Sequence, residues 1–368
     1  MKEVAIKEIC TKGSSSLKQK ELLPEGKYPV YGASGIAGYL DTFHQESNYI
    51  GIVKDGSGIG RVAFYPEKTS LIGTMQYILP KKGFNIRYIG YCLQSLDLSK
   101  YKQGAAIPHI YFRDYGERIV KVTDDENEQL SIVSRLDAAF AHIDSLKANA
   151  EKQLAEARQL FQAELAECMR PKEGWEEKTL GEIATDMYRG SGIKRDQITK
   201  EGTPCVRYGE IYTTYNVAFD ECVSHTCVEI IHSPKYFEYG DLLFAITGES
   251  VEDIGKTIAY LGKDKCLLGG DIICMKHRQN AKFLSYALST PDAIRQKGIG
   301  KTKLKVVHTN APALKAISIP IPLIDIQQSI VSRLDSFSAN IKKLEEMQRK
   351  TLAECDALKQ AMLREVFE

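Results

Sequence analysis

The sequence predicts an α+β protein in which two mixed α/β domains alternate with two long helices. Three observations predict this class. A stretch of 40 residues occurs twice, both copies lack Gly and Pro, and the segments before them hold short apolar runs bounded by Gly. We therefore expect a first domain at 1–122, a first helix at 123–170, a second domain at 171–322 and a second helix at 323–368.

The repeat is clearest in the heptapeptide SIVSRLD, which stands at 131–137 and again at 329–335. The same offset of 198 aligns 131–170 with 329–368 without a gap, and 19 of these 40 positions are identical. Such identity at one fixed offset indicates an internal duplication.

Each copy is rich in strong helix formers and carries apolar residues at heptad spacing, which predicts a coiled-coil seam. The alternative is a surface helix packed on its own domain, but 40 residues far exceed the mean helix length of about 11–12. The expected seam of the first copy is Leu136, Ala139, Ile143, Leu146, Ala150, Ala157 and Leu160. That of the second is Leu334, Phe337, Ile341, Leu344, Gln348, Cys355, Leu358 and Met362.

The two segments before the helices predict strands joined by tight turns, since short alternating apolar runs end at Gly. The expected strands include 49–53, 62–65, 241–246 and 257–260. A glycine-rich hairpin is expected at 56–60, because the third Gly of a dinucleotide-binding turn is replaced by Arg61.

Charge is distributed unevenly along a chain whose formal net charge is +1. The first domain carries +6, the first helix −5, the second domain +1 and the second helix −1. This excludes a strongly basic protein that coats nucleic acid, and it places favourable phosphate contacts on the domains. Basic residues of the second domain cluster at Arg189, Lys194 and Arg195, and at Lys297, Lys301, Lys303 and Lys305.

Several catalytic and cofactor motifs are absent or incomplete. The Gly-Lys-Thr at 255–257 and at 300–302 lacks the earlier Gly of a phosphate-binding loop. The 222–232 segment has Cys and His at spacings that fit no zinc ligand set, and we expect a strand or helix with buried thiols there. His109 and His308 each stand near the end of a domain, and we interpret both as structural. Nine scattered Cys without a CxxC pair, no signal peptide and no long apolar run predict a cytoplasmic protein.

The order of the motifs resembles a known family. Gly174-Trp175-Glu176, running into the LGEIA sequence at 180–184, is similar to the start of a target-recognition domain in specificity (HsdS) subunits of type I restriction-modification systems. The sequence ISIPIPL at 317–323, followed by QQSIV at 327–331, resembles that family's transition into a conserved helix. The resemblance covers nearly the whole chain, although the first domain lacks the Gly-Trp opening.

The resemblance implies a fold and a function. The two helices would pack as an antiparallel coiled coil, and pseudo-twofold symmetry would relate two target-recognition domains. Each domain would read one half of a bipartite, asymmetric site on double-stranded DNA. A helix of 40 residues spans about 60 Å, or about 18 base pairs at 3.4 Å each, so the helices would act as a spacer.

The resemblance also implies a chain without catalytic residues, metal or cofactor of its own. Modification subunits would methylate adenine with S-adenosylmethionine, and restriction subunits would translocate and cleave DNA with ATP and Mg. Arg135 and Arg333 would help to dock the modification subunits or pair with Asp137 and Asp335; both alternatives stay open. The competing functions are a coiled-coil scaffold that binds only proteins and an enzyme with an unrecognised site.

Loops that differ between the domains are the expected source of base contacts. In the first domain the candidates are Lys12, Ser14, Ser15, Lys54, Ser57 and Arg61. In the second they are Arg189, Ser191, Lys194, Arg207, Tyr208, Thr247, Glu249 and Lys256.

Overall fold

The computed structural model of the chain describes residues 1–104, 108–300 and 306–368. The chain divides into two compact units, the first formed by 1–153 with 347–368 and the second by 154–346. Lys301, Lys303 and Lys305 of the predicted basic cluster lie outside the described residues.

The first unit contains nine strands among its described residues and begins the first long helix. Its strands are β1 (Lys2–Ala5), β2 (Cys10–Ser14), β3 (Tyr28–Gly32), β4 (Gly35–Leu40), β5 (Tyr49–Val53), β6 (Val62–Tyr65), β7 (Ser70–Leu71), β8 (Met75–Pro80) and β9 (Ile119–Val122). Its helices are α1 (Ile6–Ile9), α2 (Ile86–Ser95), α3 (Phe112–Tyr115) and α4 (Glu126–Cys168), the last continuing into the second unit.

The second unit repeats this order with more short strands. They are β10 (Glu176–Thr179), β11 (Ala184–Arg189), β12 (Ile198–Thr199), β13 (Thr203–Val206), β14 (Ala218–Phe219), β15 (Ser224–Thr226), β16 (Tyr236–Phe237), β17 (Leu242–Ala245), β18 (Thr247–Gly248), β19 (Thr257–Tyr260), β20 (Cys266–Leu268), β21 (Ile272–His277), β22 (Val307–His308) and β23 (Ser318–Ile321). The helices are α5 (Leu180–Ile183), α6 (Tyr208–Thr213), α7 (Ala281–Ala287), α8 (Pro291–Gly298), α9 (Ala311–Lys315) and α10 (Ile324–Phe367), which ends in the first unit.

The central sheets of the two units share one topology. The first unit has the order β2-β8-β5-β6 and the second has β11-β21-β17-β19-β14. All pairs among the four common strands are antiparallel. The strands expected at 49–53, 62–65 and 257–260 are confirmed, and the one expected at 241–246 forms as β17. The predicted α+β class with two long helices is also confirmed.

One buried glutamine in each long helix ties that helix to the globular part of its unit. Gln129 and Gln327 are fully buried and stand 198 residues apart. Gln129 accepts from the Asn85 amide at 2.7 Å, and Gln327 accepts from the Asn280 amide at 3.0 Å. Each asparagine caps the helix that follows it, so the duplication preserves a hydrogen-bonded junction as well as a helix.

The aspartate of the repeated heptapeptide makes a second shared junction. Asp137 accepts hydrogen bonds from Arg87 at 2.6 Å and from the hydroxyl of Tyr91. Asp335 accepts them from Lys282 at 2.7 Å and from Tyr286 at 2.8 Å.

The arginines of the heptapeptide do not pair with these aspartates. Arg333 forms an ion pair with Glu164, while Arg135 borders a surface cavity of about 430 Å³ in the first unit. Of the alternatives for the two arginines, the aspartate pairs are therefore not formed in the structure.

The burial pattern of the long helices agrees with most of the predicted seam and corrects three of its positions. Positions 136, 143, 150 and 157 are buried at intervals of seven, as expected. In the first helix Ala139 is half-buried as predicted, and so are Phe140, Leu154 and Phe161, which were not predicted. In the second helix the predicted positions 334, 348 and 355 are buried, and 337, 341, 344 and 362 are half-buried. Leu146, Leu160 and Leu358 are 54%, 57% and 51% exposed, so their assignment to the seam is wrong.

Opposite ends of the two helices meet inside each unit, which gives an antiparallel pairing. In the first unit Lys147 bonds to Asp356 at 2.7 Å, and the ring of Phe367 packs at a tilt against that of Tyr88, with centroids 5.1 Å apart. In the second, Arg158 lies 3.3 Å from Glu345, and Leu165 joins the core beside Leu334. Leu363, the copy of Leu165, is buried in the core of the first unit.

Candidate nucleic-acid interface

The glycine-rich hairpin of the first unit has a counterpart in the second, and backbone hydrogen bonds define the correspondence. In the first unit the Val53 amide donates to the Arg61 carbonyl at 3.0 Å, and the Gly60 amide donates back to Val53 at 2.8 Å. In the second unit Ala245 makes the same two bonds, each 3.0 Å long, with Lys256 and Gly255. Arg61 and Lys256 are therefore structurally equivalent, as are Gly60 and Gly255.

Strands β2 and β11 bring a further equivalent pair to this end of the sheet. Ser14 lies opposite Gln76 in β8, and Arg189 lies opposite Ile273 in β21. Gln76 follows Met75, which pairs with Val53, and Ile273 follows Ile272, which pairs with Ala245. Ser14 and Arg189 therefore occupy equivalent positions. Two pairs of predicted contacts, Ser14 with Arg189 and Arg61 with Lys256, thus lie at equivalent backbone positions of the two units. We call this shared arrangement of strands and hairpin the hairpin frame.

A later segment of each unit, residues 108–110 in the first and 307–309 in the second, pairs with the start of the hairpin loop. We call it the returning segment. The Ile110 amide donates to the Lys54 carbonyl at 2.9 Å, and the Thr309 amide donates to the Ile246 carbonyl at 3.0 Å. Asp55 consequently lies opposite His109 in an antiparallel bridge. Thr247 lies opposite His308 in the pairing of β18 with β22.

These two bridges carry side-chain hydrogen bonds as well. His109 Nδ1 is 2.6 Å from Asp55 Oδ1, and His308 Nδ1 is 3.1 Å from Thr247 Oγ1. The first pair is half-buried, whereas His308 is exposed. Neither histidine nor Asp55 is among the contacts predicted from the sequence.

In the first unit, most of the predicted contacts reach the surface. Lys12, Ser14 and Ser57 are exposed, and Lys54 lies 3.6 Å from the Asp55 carboxylate. Ser15 is different, because it is buried and its hydroxyl accepts from the Leu17 amide at 3.2 Å.

Arg61 is exposed, and its guanidinium packs across the hairpin on Gly58. A Cβ at Gly58 would lie 2.0 Å from Arg61 Nη2, and the φ of Gly58 is 82°. Glycine is needed here both for the backbone and for this arginine.

In the second unit, Arg189 and Arg207 are held by acidic neighbours. Arg189 pairs with Asp271 at 2.7 Å and keeps 62% of its side chain exposed. Arg207 Nε lies 3.5 Å from Glu210 Oε1, outside hydrogen-bonding geometry, and has no hydrogen-bond partner among the described residues. Lys194 is exposed on the loop before β12.

Two other predicted contacts of the second unit serve its interior. The Ser191 hydroxyl donates to the Ser233 carbonyl, and the serine is buried. Lys256 Nζ donates to the Tyr215 carbonyl at 3.1 Å, just beyond the end of α6. Burial lowers the pKa of Lys256, so this amine is less suited to a phosphate than its counterpart Arg61.

A surface cavity of about 620 Å³ gathers three predicted contacts, Tyr208, Thr247 and Glu249. Tyr208 is the first residue of α6 and is 40% exposed. Gly209 and Gly248 also line this cavity and add no side chain, and Thr213 adds a hydroxyl to the lining. The cavity offers an aromatic ring, hydroxyls and a carboxylate, which are groups that recognise base edges.

A buried lysine stands behind the hairpin of the second unit. Lys297 is buried, and its amine donates to Leu288 O at 2.8 Å and to Thr257 Oγ1 at 3.1 Å. Burial lowers the pKa of Lys297 to about 7. Its side chain touches Gly255, whereas the equivalent Gly60 rests on Leu98 and Ser99.

The thiol-rich segment of the second unit differs from the expectation of buried thiols. It forms β15 and a short 3₁₀ turn at Val228–Ile230. Cys227 is exposed and donates to Glu229 at 2.7 Å, so only part of the expectation holds. Within 1–104, 108–300 and 306–368, no group of three or more His, Cys, Asp or Glu could hold a metal ion. No helix in the same ranges is long and apolar enough to cross a membrane.

A sequence signal for the shared frame exists, although it is short. Each hairpin ends in Ile-Gly followed by a basic residue, Ile59-Gly60-Arg61 in one case and Ile254-Gly255-Lys256 in the other. Each also starts with a glycine, Gly56 or Gly248, directly after Asp55 or Thr247. The pattern becomes visible once the strands are aligned, because the loops between these glycines differ in length.

Comparisons with known proteins agree with this architecture. A family model described as the type I restriction modification DNA specificity domain matches residues 1–156 and 172–354. No curated protein sequence matches the chain.

Two solved structures are similar in fold. One is a chain from a study of complex assembly and conformational transition of the type I R-M system. It is 16% identical with a TM-score of 0.74, and the alignment covers 99% of this chain and 97% of that one. The other is the HsdS subunit from Thermoanaerobacter tengcongensis, 16% identical with a TM-score of 0.52 over 99% and 96% of the chains.

Proposed function

Because the chain belongs to the type I restriction modification DNA specificity domain family, we propose that it reads a bipartite, asymmetric site on double-stranded DNA. Each unit would read one half of the site. The observation that carries the proposal is the shared hairpin frame, which presents Ser14, Asp55 and Ser57 in one unit and Arg189, Thr247 and Glu249 in the other. One scaffold with different side chains is what two different half-sites require.

The proposed contacts are the predicted residues whose side chains reach the surface. In the first unit these are Lys12, Ser14, Lys54, Ser57 and Arg61, and in the second Arg189, Lys194, Arg207, Tyr208, Thr247 and Glu249. Basic side chains would position the duplex through phosphates, and residues around the cavity would contact base edges. Ser15, Ser191 and Lys256 would hold the frame instead.

We further propose that the chain contributes no catalytic group and acts within a larger complex. Modification subunits that use S-adenosylmethionine would methylate adenine, and restriction subunits would use ATP and Mg. Exposed apolar residues on the long helices, including Leu146, Leu160 and Leu358, support a docking role for these helices. The helices would also set the length of the unspecified gap between half-sites.

Methylome sequencing of a host with and without the gene for this chain tests the proposal. We expect adenine methylation at a split asymmetric sequence only when the chain is present. If deletion of the gene removes no methylated motif, the proposal is contradicted and a protein-binding scaffold is favoured.

Substitution of Arg207 separates base readout from phosphate contact. We expect Arg207→Ala to relax discrimination at one base pair by about tenfold, since one good base contact contributes about 1–3 kcal/mol. Lys200→Ala, an exposed lysine of the same unit, is the control. Equal weakening at all DNA sequences would assign Arg207 to a phosphate.

A further inference from the structure

The histidines on the returning segments occupy the same position in both units. In the first unit the Gly56 amide donates to the Pro108 carbonyl at 3.1 Å, which sets His109 opposite Asp55. In the second unit Gly248 pairs with Val307, which sets His308 opposite Thr247. Little of the intervening sequence is shared, yet both returning segments present a histidine at this register.

The partner of each imidazole determines which ring nitrogen carries a proton. A carboxylate only accepts, so Asp55 at 2.6 Å requires the proton on His109 Nδ1. A hydroxyl donates or accepts, so Thr247 leaves His308 free to take either tautomer. Nε2 of His109 has no hydrogen-bond partner within the described part of the chain and is the ring nitrogen available to a ligand.

The surroundings of His109 suit DNA. Its ring is stacked on Tyr111 with centroids 6.3 Å apart, and the Arg113 guanidinium lies 4.7 Å from the centre of the Tyr111 ring. Lys54 Nζ lies 3.6 Å from the Asp55 carboxylate that His109 also contacts. The histidine is 39% exposed, and its two contact residues, Asp55 and Tyr111, each carry a cationic neighbour that would face phosphates.

The surroundings of His308 differ in kind. Its partner Thr247 lines the cavity that also holds Tyr208 and Glu249. An exposed imidazole at the edge of such a cavity would meet a base edge together with a carboxylate. The two units thus give the equivalent histidine different partners, a carboxylate in the first and a hydroxyl in the second.

We infer that His109 and His308 are specificity-determining residues that contact one base pair in each half-site, and that Asp55 and Thr247 are positioning residues that set the hydrogen-bonding character of Nε2. The inference rests on the proposed function. Asp55 restricts His109 to one ring form, and the first unit discriminates sharply at its base pair. Thr247 permits both forms, and the second unit tolerates more than one base.

The test uses the full chain, expressed with the methyltransferase subunit of its host, and genome-wide methylation as the readout. Every genome contains sites that differ from the cognate sequence at one base pair, so the methylated fraction can be compared position by position. We expect His109→Ala to raise the ratio of mismatched to cognate methylation about tenfold at one base pair of one half-site. His308→Ala has this effect in the other half-site only.

Conservative variants distinguish positioning from folding. Asp55→Asn keeps the size of the side chain but can donate to Nδ1, so the base preference at the same position changes. Thr247→Ser keeps the hydroxyl and leaves the preference unchanged, whereas Thr247→Val alters it. Lys100→Ala, a substitution of an exposed lysine in the first unit, is the neutral control.

Three outcomes decide between the hypotheses. A change in preference confined to one base pair supports the inference, and equal weakening at all sites overturns it by assigning the histidines to phosphates. Unchanged discrimination in both His109→Ala and His308→Ala, which remove the imidazole, also overturns it. A wild-type chain that directs methylation with no sequence preference removes the proposed function itself, so the two failures are distinguishable.

Discussion

The two units use one backbone frame to present different chemistry. Three residues separate Gly56 from Gly60 in the first hairpin, and six separate Gly248 from Gly255 in the second. The strands, the bonds that close the hairpins and the returning histidines are nevertheless the same. The difference teaches that strand register fixes where a hairpin loop starts and ends, while the length and residues of the loop remain free to vary.

The junctions between long helix and globular part show the opposite tendency. Gln129 and Gln327 are identical, as are Asn85 and Asn280, and Asp137 and Asp335. These residues are buried or bonded to buried partners, where a lost hydrogen bond would leave a polar group unsatisfied. The residues of the two hairpin loops have diverged, whereas the buried hydrogen bonds at the junctions have kept their residues identical.

The largest expected effect tests whether the duplicated helices are equally important in both units. Leu165→Ala and Leu363→Ala should each lower the free energy of unfolding by about 2–5 kcal/mol, because both leucines are buried in a core. Urea unfolding followed by circular dichroism measures this. Leu160→Ala and Leu358→Ala are matched controls at exposed positions, and we expect changes below about 0.5 kcal/mol. A large loss in the controls would restore the seam predicted from the sequence.

The next effect is a pH dependence of the free energy of unfolding, which we expect from the buried lysine of the second unit. Lys297 has its pKa lowered by burial from 10.5 to about 7, so the unfolded chain binds a proton that the folded chain lacks. Stability contributed at this position therefore falls as pH decreases from 10.5 to 7, and it is constant below 7. Lys297→Met should become more stable relative to the wild type by about 2–3 kcal/mol as the pH falls by about two units towards 7.

Thermal or urea unfolding at several pH values measures this difference. The control is Lys263→Met, which replaces an exposed lysine of the same unit and should show no such pH dependence. A difference between Lys297→Met and the wild type that stays constant with pH would mean that the amine is charged in the folded protein.

The smallest effect compares the helix caps. Asn85 accepts from the Arg87 and Tyr88 amides, and Asn280 accepts from the Phe283 amide. Alanine at either position should cost about 1 kcal/mol, since an N-cap is worth about 0.5–2 kcal/mol. Serine at either position should recover most of the loss because its hydroxyl still accepts. Hydrogen exchange of the α2 and α7 amides would show whether each effect is confined to its own unit.

Much of the architecture could be predicted from sequence because burial preserves residues. The repeated heptapeptide supplies Leu136 and Leu334, which are buried at 4% and 0% exposure, and Asp137 and Asp335, which bond to tyrosine hydroxyls. The strands 49–53 and 257–260 were equally visible as apolar runs ending at turns. Three leucines of the predicted seam, Leu146, Leu160 and Leu358, are exposed instead, because heptad spacing does not by itself determine which apolar residues of a helix meet a partner.

The sequence by itself determined the duplication, the two long helices and the presence of two dissimilar domains, since these features are written in local periodicity and in repeated residues. Only the tertiary structure decided which residues of the two hairpins are equivalent. It aligned Arg61 with Lys256 through backbone hydrogen bonds within each hairpin, and His109 with His308 through backbone hydrogen bonds between segments more than 50 residues apart. Such bonds do not depend on side-chain identity, so they persist where the sequences have diverged and leave only the short Ile-Gly-basic pattern in the sequence.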